Sequence, residues 1–237
     1  MVTKLLRATA QSAIARRLVK PATNLLTSLL ESRNKLIVNF QEADRVCILN
    51  VVRRIKKERM LLLENHEAYQ LASAVIRTAK VPGDLIEVGV FQGASAKLIS
   101  EFKNGKNLHL CDTFEGLPEP DAVDVRFAKG AFHCPLESVQ EYLKRNEGVH
   151  FYQGFFPESA PSLRDVKFCF AHLDVDLYSS TRGCLEFLYP RMSSGGVIMS
   201  HDYTTAAGVQ QAFDEFFADK PEPVLPLCGS QCLVVKV

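Results

Sequence analysis

Short apolar runs and segments with apolar residues at helical spacing alternate along the chain from residue 84 onward. Apolar runs of about four to eight residues are typical of buried strands, and apolar residues recurring every third or fourth position are typical of helices. Strands separated by helices indicate a parallel sheet with right-handed crossovers. We predict strands near residues 84–89, 107–112, 149–153, 168–174 and 196–200, and helices near 94–102, 136–146, 179–189 and 206–218.

The two ends of the chain depart from this alternation. Residues 1–80 have apolar residues at helical spacing, as at Leu71 and Val75, and the breaker pair Pro82-Gly83 follows them. Near the carboxyl end, two apolar runs flank Cys228-Gly-Ser-Gln231, which predicts an antiparallel hairpin. We therefore divide the chain into a helical extension, residues 1–80, and an α/β domain, residues 81–237.

A glycine-bearing turn follows the first predicted strand and opens a helix. Gly89 and Gly93 lie in this turn, and the second predicted strand ends in an acid, Asp112. Such a layout binds a nucleoside at the carboxyl ends of parallel strands, with the glycines admitting the ligand and the acid accepting ribose hydroxyls. The spacing Gly89-x-x-x-Gly93 lacks the pattern that cradles a pyrophosphate, which favours S-adenosylmethionine over a dinucleotide. A tight turn without a ligand is the alternative explanation of both glycines.

Polar side chains follow two later strands. By strand alternation, His172, Asp174 and Asp176 are predicted on one side of the chain after the fourth strand. His201 and Asp202 follow the next strand, so adjacent strand ends would bring them close to Asp174. Two carboxylates and an imidazole can hold a divalent ion. Asp176 and Asp202 also precede predicted helices, so helix capping is the alternative.

The connection between the second strand and the following helix is long. More than 20 residues separate Asp112 from Leu136, with several Gly and Pro residues among them. A loop of this length inside one domain is usually a lid or a binding loop. Phe114, Phe127 and Phe132 favour a loop that docks over a pocket.

Composition and charge narrow the class of protein. The 237 residues are 47% hydrophobic and 23% charged, which suits one α/β domain of ordinary size with an appendage. A formal net charge of +1 provides no field that attracts nucleic acid, so no nucleic-acid partner is expected. The seven cysteines are odd in number and several lie in apolar strands, which favours reduced thiols and a cytoplasmic location.

The first 30 residues are basic and contain no acid. Arg16 and Arg17 interrupt the apolar residues there, which argues against a secretory signal. The chain has no run of about 18 apolar residues, so no transmembrane helix is expected. A basic helix at this end could be a transit peptide, could contact a membrane surface, or could pack on the body or a partner subunit. We expect packing, and with it a homo-oligomer.

Several sequence blocks together resemble the macrocin O-methyltransferase family, whose members use S-adenosylmethionine to methylate sugar hydroxyls of natural products. The similarity runs from about residue 58 to 217, and the first 50 residues lie outside it. The most specific pair of blocks is Asp112-Thr-Phe-Glu-Gly-Leu-Pro118 followed by Asp174-Val-Asp-Leu-Tyr-Ser-Ser-Thr181. Further matching blocks are Val81-Pro-Gly-Asp-Leu-Ile-Glu-Val-Gly-Val90, Gly154-Phe-Phe156, Tyr189-Pro-Arg191 and His201-Asp-Tyr203.

The resemblance implies a Rossmann-like class I methyltransferase fold: a mostly parallel seven-stranded sheet and an α-helical N-terminal part that helps oligomerise and shapes the acceptor site. It also implies a Mg²⁺ ion held by one aspartate after the fourth strand and an Asp-Asp pair after the fifth. Asp174 matches the first, but this chain has His201-Asp202 at the pair. Two outcomes follow: Mg²⁺ binds through the aspartates with His201 outside, or Mn²⁺ is preferred with His201 as a ligand.

The sequence therefore predicts an S-adenosylmethionine-dependent O-methyltransferase that acts on a hydroxyl of a sugar or glycosylated metabolite with the help of a divalent metal. Asp174 is the expected metal ligand and base, Asp202 a ligand, and His201 a ligand or auxiliary base. The alternatives are a non-catalytic binding or assembly protein on this scaffold, and another Rossmann-like nucleotide-binding enzyme.

The remaining cofactor contacts are assigned by position. Glu87 and Ser95 are expected to hydrogen-bond the amino-acid end of the cofactor, because they flank the glycine turn. Gly154 and Phe155 follow the third strand and are expected to line the adenine side.

Overall fold

The computed structural model describes residues 44–237, and residues 46–237 form one compact unit. Seven strands build a single sheet: β1 (Asp84–Val88), β2 (Leu108–Asp112), β3 (Val149–Gln153), β4 (Phe168–Leu173), β5 (Met192–Ser200), β6 (Leu225–Pro226) and β7 (Cys232–Val235). Their order is β3-β2-β1-β4-β5-β7-β6. Strands β1 to β5 pair in parallel, and β7 pairs antiparallel with both β5 and β6. The predicted parallel sheet and C-terminal hairpin are both confirmed.

Six α-helices accompany the sheet within these residues: α1 (Arg45–Glu58), α2 (Asn65–Arg77), α3 (Ala94–Phe102), α4 (Leu136–Leu143), α5 (Tyr178–Leu188) and α6 (Ala207–Phe217). The four helices predicted between strands are all present: 94–102 has the predicted bounds, and the ends of the other three lie within three residues of the prediction. Helices α1 and α2 are the described part of the helical extension. The predictions for the basic segment at residues 1–30 lie outside the described residues.

Burial at the centre of the sheet explains why the central strand is rich in apolar residues. All six residues of β4 are buried, because this strand has neighbours on both edges and helices on both faces. Helices α5 and α6 cover one face, where Phe213 stacks on Phe217 and Cys184, Leu185 and Leu188 join the same apolar cluster. This burial supplies the main stabilisation, at about 25 cal/mol for each Å² of apolar surface removed from water.

The sheet order also determines where a ligand can bind. Strand β1 pairs with β2 on one edge and with β4 on the other, so the order of strands reverses between β1 and β4. In open α/β sheets such a reversal opens a crevice at the carboxyl ends of the strands. The turn after β1, Asp112 and the polar residues after β4 and β5 all lie at that edge.

Two further predictions can be compared with the described residues. All seven cysteines lie within this part of the chain, and all are free thiols, five of them buried. Among residues 44–237, no helix is long and apolar enough to cross a membrane.

Candidate active site

A cavity opens at the carboxyl ends of β1, β2, β4 and β5. It is lined by the turn after β1, by the loop after β2, and by Gly154 and Phe155 after β3. Asp174, His201 and Asp202 also line it. The crevice expected from the sheet order is therefore the place where most of the predicted site residues meet.

The glycines of the first turn serve contacts within the protein. Gly89 lines the cavity and has φ of +87°, and a Cβ atom there would lie 1.9 Å from the carbonyl oxygen of Asp174. Gly93 does not line the cavity; its φ is +80°, and a Cβ atom would lie 2.8 Å from Val139 Cγ1 on α4. Its two chain neighbours, Gln92 and Ala94, line the cavity, and the role of both glycines in admitting the cofactor stays a prediction. At Gly89, the backbone of Asp174, just after β4, leaves no room for a side chain.

Asp112 lines the cavity and also holds two loops together. Its Oδ2 accepts hydrogen bonds from the backbone N–H groups of Val90 at 2.6 Å and Phe91 at 3.0 Å, and its Oδ1 accepts one from Phe114 at 2.7 Å. Phe91 and Phe114 adopt positive φ values of 49° and 57°, which is uncommon for aromatic residues. The Thr113 hydroxyl, which donates to the Gly116 carbonyl at 2.8 Å, lies 3.4 Å from Oδ1, so the fourth acceptor position of the carboxylate has only a long contact within the protein.

Glu87 and Ser95 contact each other, but only Ser95 reaches the cavity. Ser95 lines the cavity, but Glu87 is fully buried beneath it and accepts a hydrogen bond from, or donates one to, His172 Nδ1 at 2.9 Å. Burial raises the pKa of Glu87, and the contact with His172 opposes that change. The prediction that Glu87 contacts the cofactor is therefore corrected: its carboxylate is fully buried, and its partners are His172 and Ser95.

The three polar residues predicted on one side of the chain after β4 have different surroundings. His172 is fully buried with Glu87, whereas Asp174 and Asp176 line the cavity. Asp176 does so with a φ of +61°. Asp176 therefore joins Asp174 at the site.

The predicted convergence of Asp174, His201 and Asp202 is confirmed. His201 Nδ1 lies 2.7 Å from Asp202 Oδ2 and 3.3 Å from Asp174 Oδ1. One ligand atom from each residue falls within 4.8 Å of the other two. Atoms bound at adjacent positions of one ion, each at about 2.1 Å from it, lie about 3 Å apart, so this set fits a divalent ion.

Glu67, at the start of α2, is a site residue that the sequence analysis missed. Its Oε2 lies 3.6 Å from His201 Nε2 and accepts the backbone N–H of Glu64 at 2.8 Å. Its Oε1 accepts the backbone N–H and the hydroxyl of Ser230, in the β6–β7 connection, at 2.7 and 2.8 Å. Burial raises its pKa, but the hydrogen bonds from His201, Ser230 and Glu64 outweigh burial and lower it, so Glu67 stays ionised.

The surrounding carboxylates decide the charges in this cluster. Burial lowers the pKa of His201, but the charge of Asp174 and hydrogen bonds to Asp174, Asp202 and Glu67 raise it well above the ordinary value. Burial and the charges of Asp174 and Asp202 raise the pKa of Asp176 to about 9. Burial opposes ionisation of Asp202 too, but His201 lowers its pKa overall. A protonated His201 therefore offsets part of the negative charge of Asp174, Asp202 and Glu67.

The long connection after β2 folds over the cavity as predicted. Phe132 lines the cavity and meets Phe91 edge-on at 5.7 Å between ring centroids, whereas Phe114 is buried. Asp124 and Asp121 accept the backbone N–H groups of Tyr178 and Ser179, each at 2.9 Å. These loop acids cap α5, so the capping alternative for Asp176 is not needed.

An apolar segment forms the other wall. Met60, Leu61, Leu62 and Leu63 connect α1 to α2 and line the cavity, and the side chains of Met60 and Leu62 are exposed. An apolar run of this kind is equally typical of a buried helix segment, so the sequence alone did not identify these residues as a cavity wall.

Comparison with known proteins agrees with this geometry. The family model for macrocin O-methyltransferases (TylF) matches residues 55–224. The chain belongs to the macrocin O-methyltransferase family. A curated family relative, the 8-demethyl-8-(2,3-dimethoxy-alpha-L-rhamnosyl)-tetracenomycin-C 4'-O-methyltransferase of Streptomyces olivaceus, is 32% identical over 165 residues, which cover 62% of this chain and 63% of that protein. The chain spans about three fifths of the length of the curated relatives it matches.

Solved structures of similar fold are also methyltransferases. The O-methyltransferase NovP superposes with a TM-score of 0.65 at 24% identity, over 71% of this chain and 78% of NovP. An O-methyltransferase from Bacillus cereus, solved in complex with SAH, superposes with a TM-score of 0.54 at 14% identity, over 89% of this chain and 98% of that one. At these identities the likeness establishes the Rossmann-like fold.

Proposed function

We propose that this protein transfers a methyl group from S-adenosylmethionine to a hydroxyl of a sugar or a glycosylated small molecule. One observation carries the proposal: Asp174, after β4, reaches the same cavity as the first turn and Asp112, with His201 and Asp202 beside it. The cofactor supplies the electrophile, and the protein must align a hydroxyl and take its proton. Family membership and the SAH complex of the Bacillus cereus neighbour support the choice of cofactor.

Each residue has a role in this proposal. Asp112 accepts the ribose hydroxyls, and Ser95 meets the amino-acid end of the cofactor. Gly154 and Phe155 flank the adenine, because they lie beside Asp112 at the end of β3; Gly154 donates its N–H to the Asp112 carbonyl at 2.9 Å. Asp174 is the proton acceptor.

The residues present also fit a divalent ion. Asp174, Asp202 and His201 would hold it, and the ion would lower the pKa of a bound hydroxyl. The convergence of these three half-buried side chains, with one ligand atom from each within 4.8 Å of the others, is the observation that supports a cation here. The ion is part of the proposal, and its binding can be measured independently of methyl transfer.

The acceptor is expected to have an apolar part. Met60, Leu62 and Phe132 give the cavity a hydrophobic rim above the acidic cluster. A sugar hydroxyl presented to Asp174 would leave an attached apolar group against this rim. The helical extension before β1 thus shapes the acceptor site.

A methyl-transfer screen tests the function. Labelled S-adenosylmethionine should methylate members of a panel of free and glycosylated hydroxyl compounds, with and without divalent ions. Tight cofactor binding with no transfer to any acceptor would favour a binding protein on this scaffold instead.

Asp112→Ala is expected to weaken binding of S-adenosylhomocysteine by about 1.5–3 kcal/mol, the value of a hydrogen bond to a charged group. Loss of the loop contacts to Val90 and Phe91 would add to this effect. Isothermal titration calorimetry measures it, and NAD should bind far more weakly. Unchanged affinity in the variant would contradict the ribose assignment.

We also propose that the chain forms a homodimer that depends on its N-terminal part. Exposed apolar side chains on α1 and in the following segment, Val46, Met60 and Leu62, are the described surface that supports it. Light scattering should give a dimer at micromolar concentration for the full chain and a smaller species after residues 1–50 are removed. A monomer in both cases would reject the proposal.

A further inference from the structure

The carboxylate of Glu67 is held in position by hydrogen bonds that do not involve His201. Its carboxylate is 4% exposed and accepts three hydrogen bonds, one from Glu64 and two from Ser230. Gly229 makes this packing tight, because a Cβ atom there would lie 2.5 Å from Glu67 Oε1. The first turn of α2 and the C-terminal hairpin therefore hold one carboxylate rigidly behind the imidazole.

This arrangement gives the two ring nitrogens of His201 different surroundings. Nε2 faces Glu67 Oε2 at 3.6 Å, and Nδ1 faces Asp174 and Asp202. A metal-binding histidine almost always directs its other N–H to a carboxylate or carbonyl, which fixes the tautomer and the orientation of the ring. Glu67 stands where such a partner is required.

We propose that Glu67 orients His201 so that Nδ1 joins Asp174 and Asp202 in a nitrogen-containing site that selects an ion of the Mn²⁺ type over Mg²⁺. Mg²⁺ takes oxygen ligands, whereas an imidazole in the donor set favours transition ions. Glu67 is thus a positioning residue, acting through His201. The inference deepens the proposed function at the same site, but metal binding is measured independently of methyl transfer.

The first experiment compares ions on the chelator-treated, full-length protein with S-adenosylhomocysteine added. Free Mn²⁺ is followed by electron paramagnetic resonance, and Mg²⁺ is measured by competition. Mn²⁺ should bind more tightly than Mg²⁺ by about tenfold or more. His201→Asp should narrow this preference, because the donor set then contains only oxygen, which suits both ions.

The second experiment changes Glu67. Glu67→Gln should lower Mn²⁺ affinity about 10–100-fold, as other outer partners of metal-binding histidines do, and should change Mg²⁺ affinity much less. Glu222→Gln is the matched control: Glu222 is also a buried carboxylate, bound to Tyr189 and Lys236, and none of the three lines the cavity. Thermal unfolding of both variants separates lost stability from lost ion preference.

Three outcomes overturn the proposal. These are equal or tighter binding of Mg²⁺ to the wild type, a preference for Mn²⁺ that is undiminished in His201→Asp, and unchanged Mn²⁺ affinity in a folded Glu67→Gln. If Glu67→Gln does not fold, the wild type and His201→Asp still decide. A wild-type protein that transfers methyl groups but does not prefer Mn²⁺ over Mg²⁺ would remove this inference and leave the proposed function in place.

Discussion

Asp174→Asn should abolish methyl transfer while cofactor affinity stays within about twofold. Asparagine keeps the size of the side chain but cannot accept a proton, and a positioned general base alone contributes about 10²–10⁴-fold to rate. The change also removes one carboxylate beside His201, whose Nδ1 lies 3.3 Å from Asp174 Oδ1. Turnover is measured with labelled cofactor, and affinity for S-adenosylhomocysteine is measured by calorimetry.

Asp165→Asn is the control for this variant. Asp165 is an exposed acid before β4 and does not line the cavity, so the same chemical change there should leave turnover unaltered. If chelator-treated enzyme works at full rate and Asp174→Asn remains active, Asp174 is neither base nor metal ligand. A loss of cofactor binding in Asp174→Asn would instead indicate that the acid supports the turn around Gly89.

The sheet and the main acids could be predicted because local patterns determine them. The apolar runs specified five parallel strands, and strand ends that share one sheet edge necessarily bring Asp174 close to His201 and Asp202. The order of the strands could be expected only from the family resemblance, because apolar runs alone do not indicate which strands are neighbours.

The residues that the sequence analysis missed or misplaced depend on long-range packing. Glu67 meets Ser230 across 163 residues, and its sequence position at the start of a helix indicates only a helix cap. Glu87 was assigned to the cofactor from its place beside the glycines, but it belongs to a buried pair with His172.

Gly89→Ala should destabilise the protein more than Gly130→Ala does. Gly89 and Gly130 both have positive φ, +87° and +77°, so alanine is strained at either position by about 1–2 kcal/mol. A Cβ atom at Gly130 meets nothing within 4 Å, whereas at Gly89 it would lie 1.9 Å from the Asp174 carbonyl oxygen. Overpacking of this kind adds about 1–3 kcal/mol.

We therefore expect Gly89→Ala to lower the free energy of unfolding by about 2–5 kcal/mol, and Gly130→Ala by about 1–2 kcal/mol. Urea unfolding measures both. In Gly89→Ala the end of β4 must shift to relieve the overlap, and Asp174 shifts with it; a displacement of about 1 Å can cost 10²-fold in rate. Turnover should therefore fall well beyond any loss of folded protein. Equal losses of stability in both variants, with turnover unchanged, would show that the close approach between Gly89 and Asp174 does not position the proposed base.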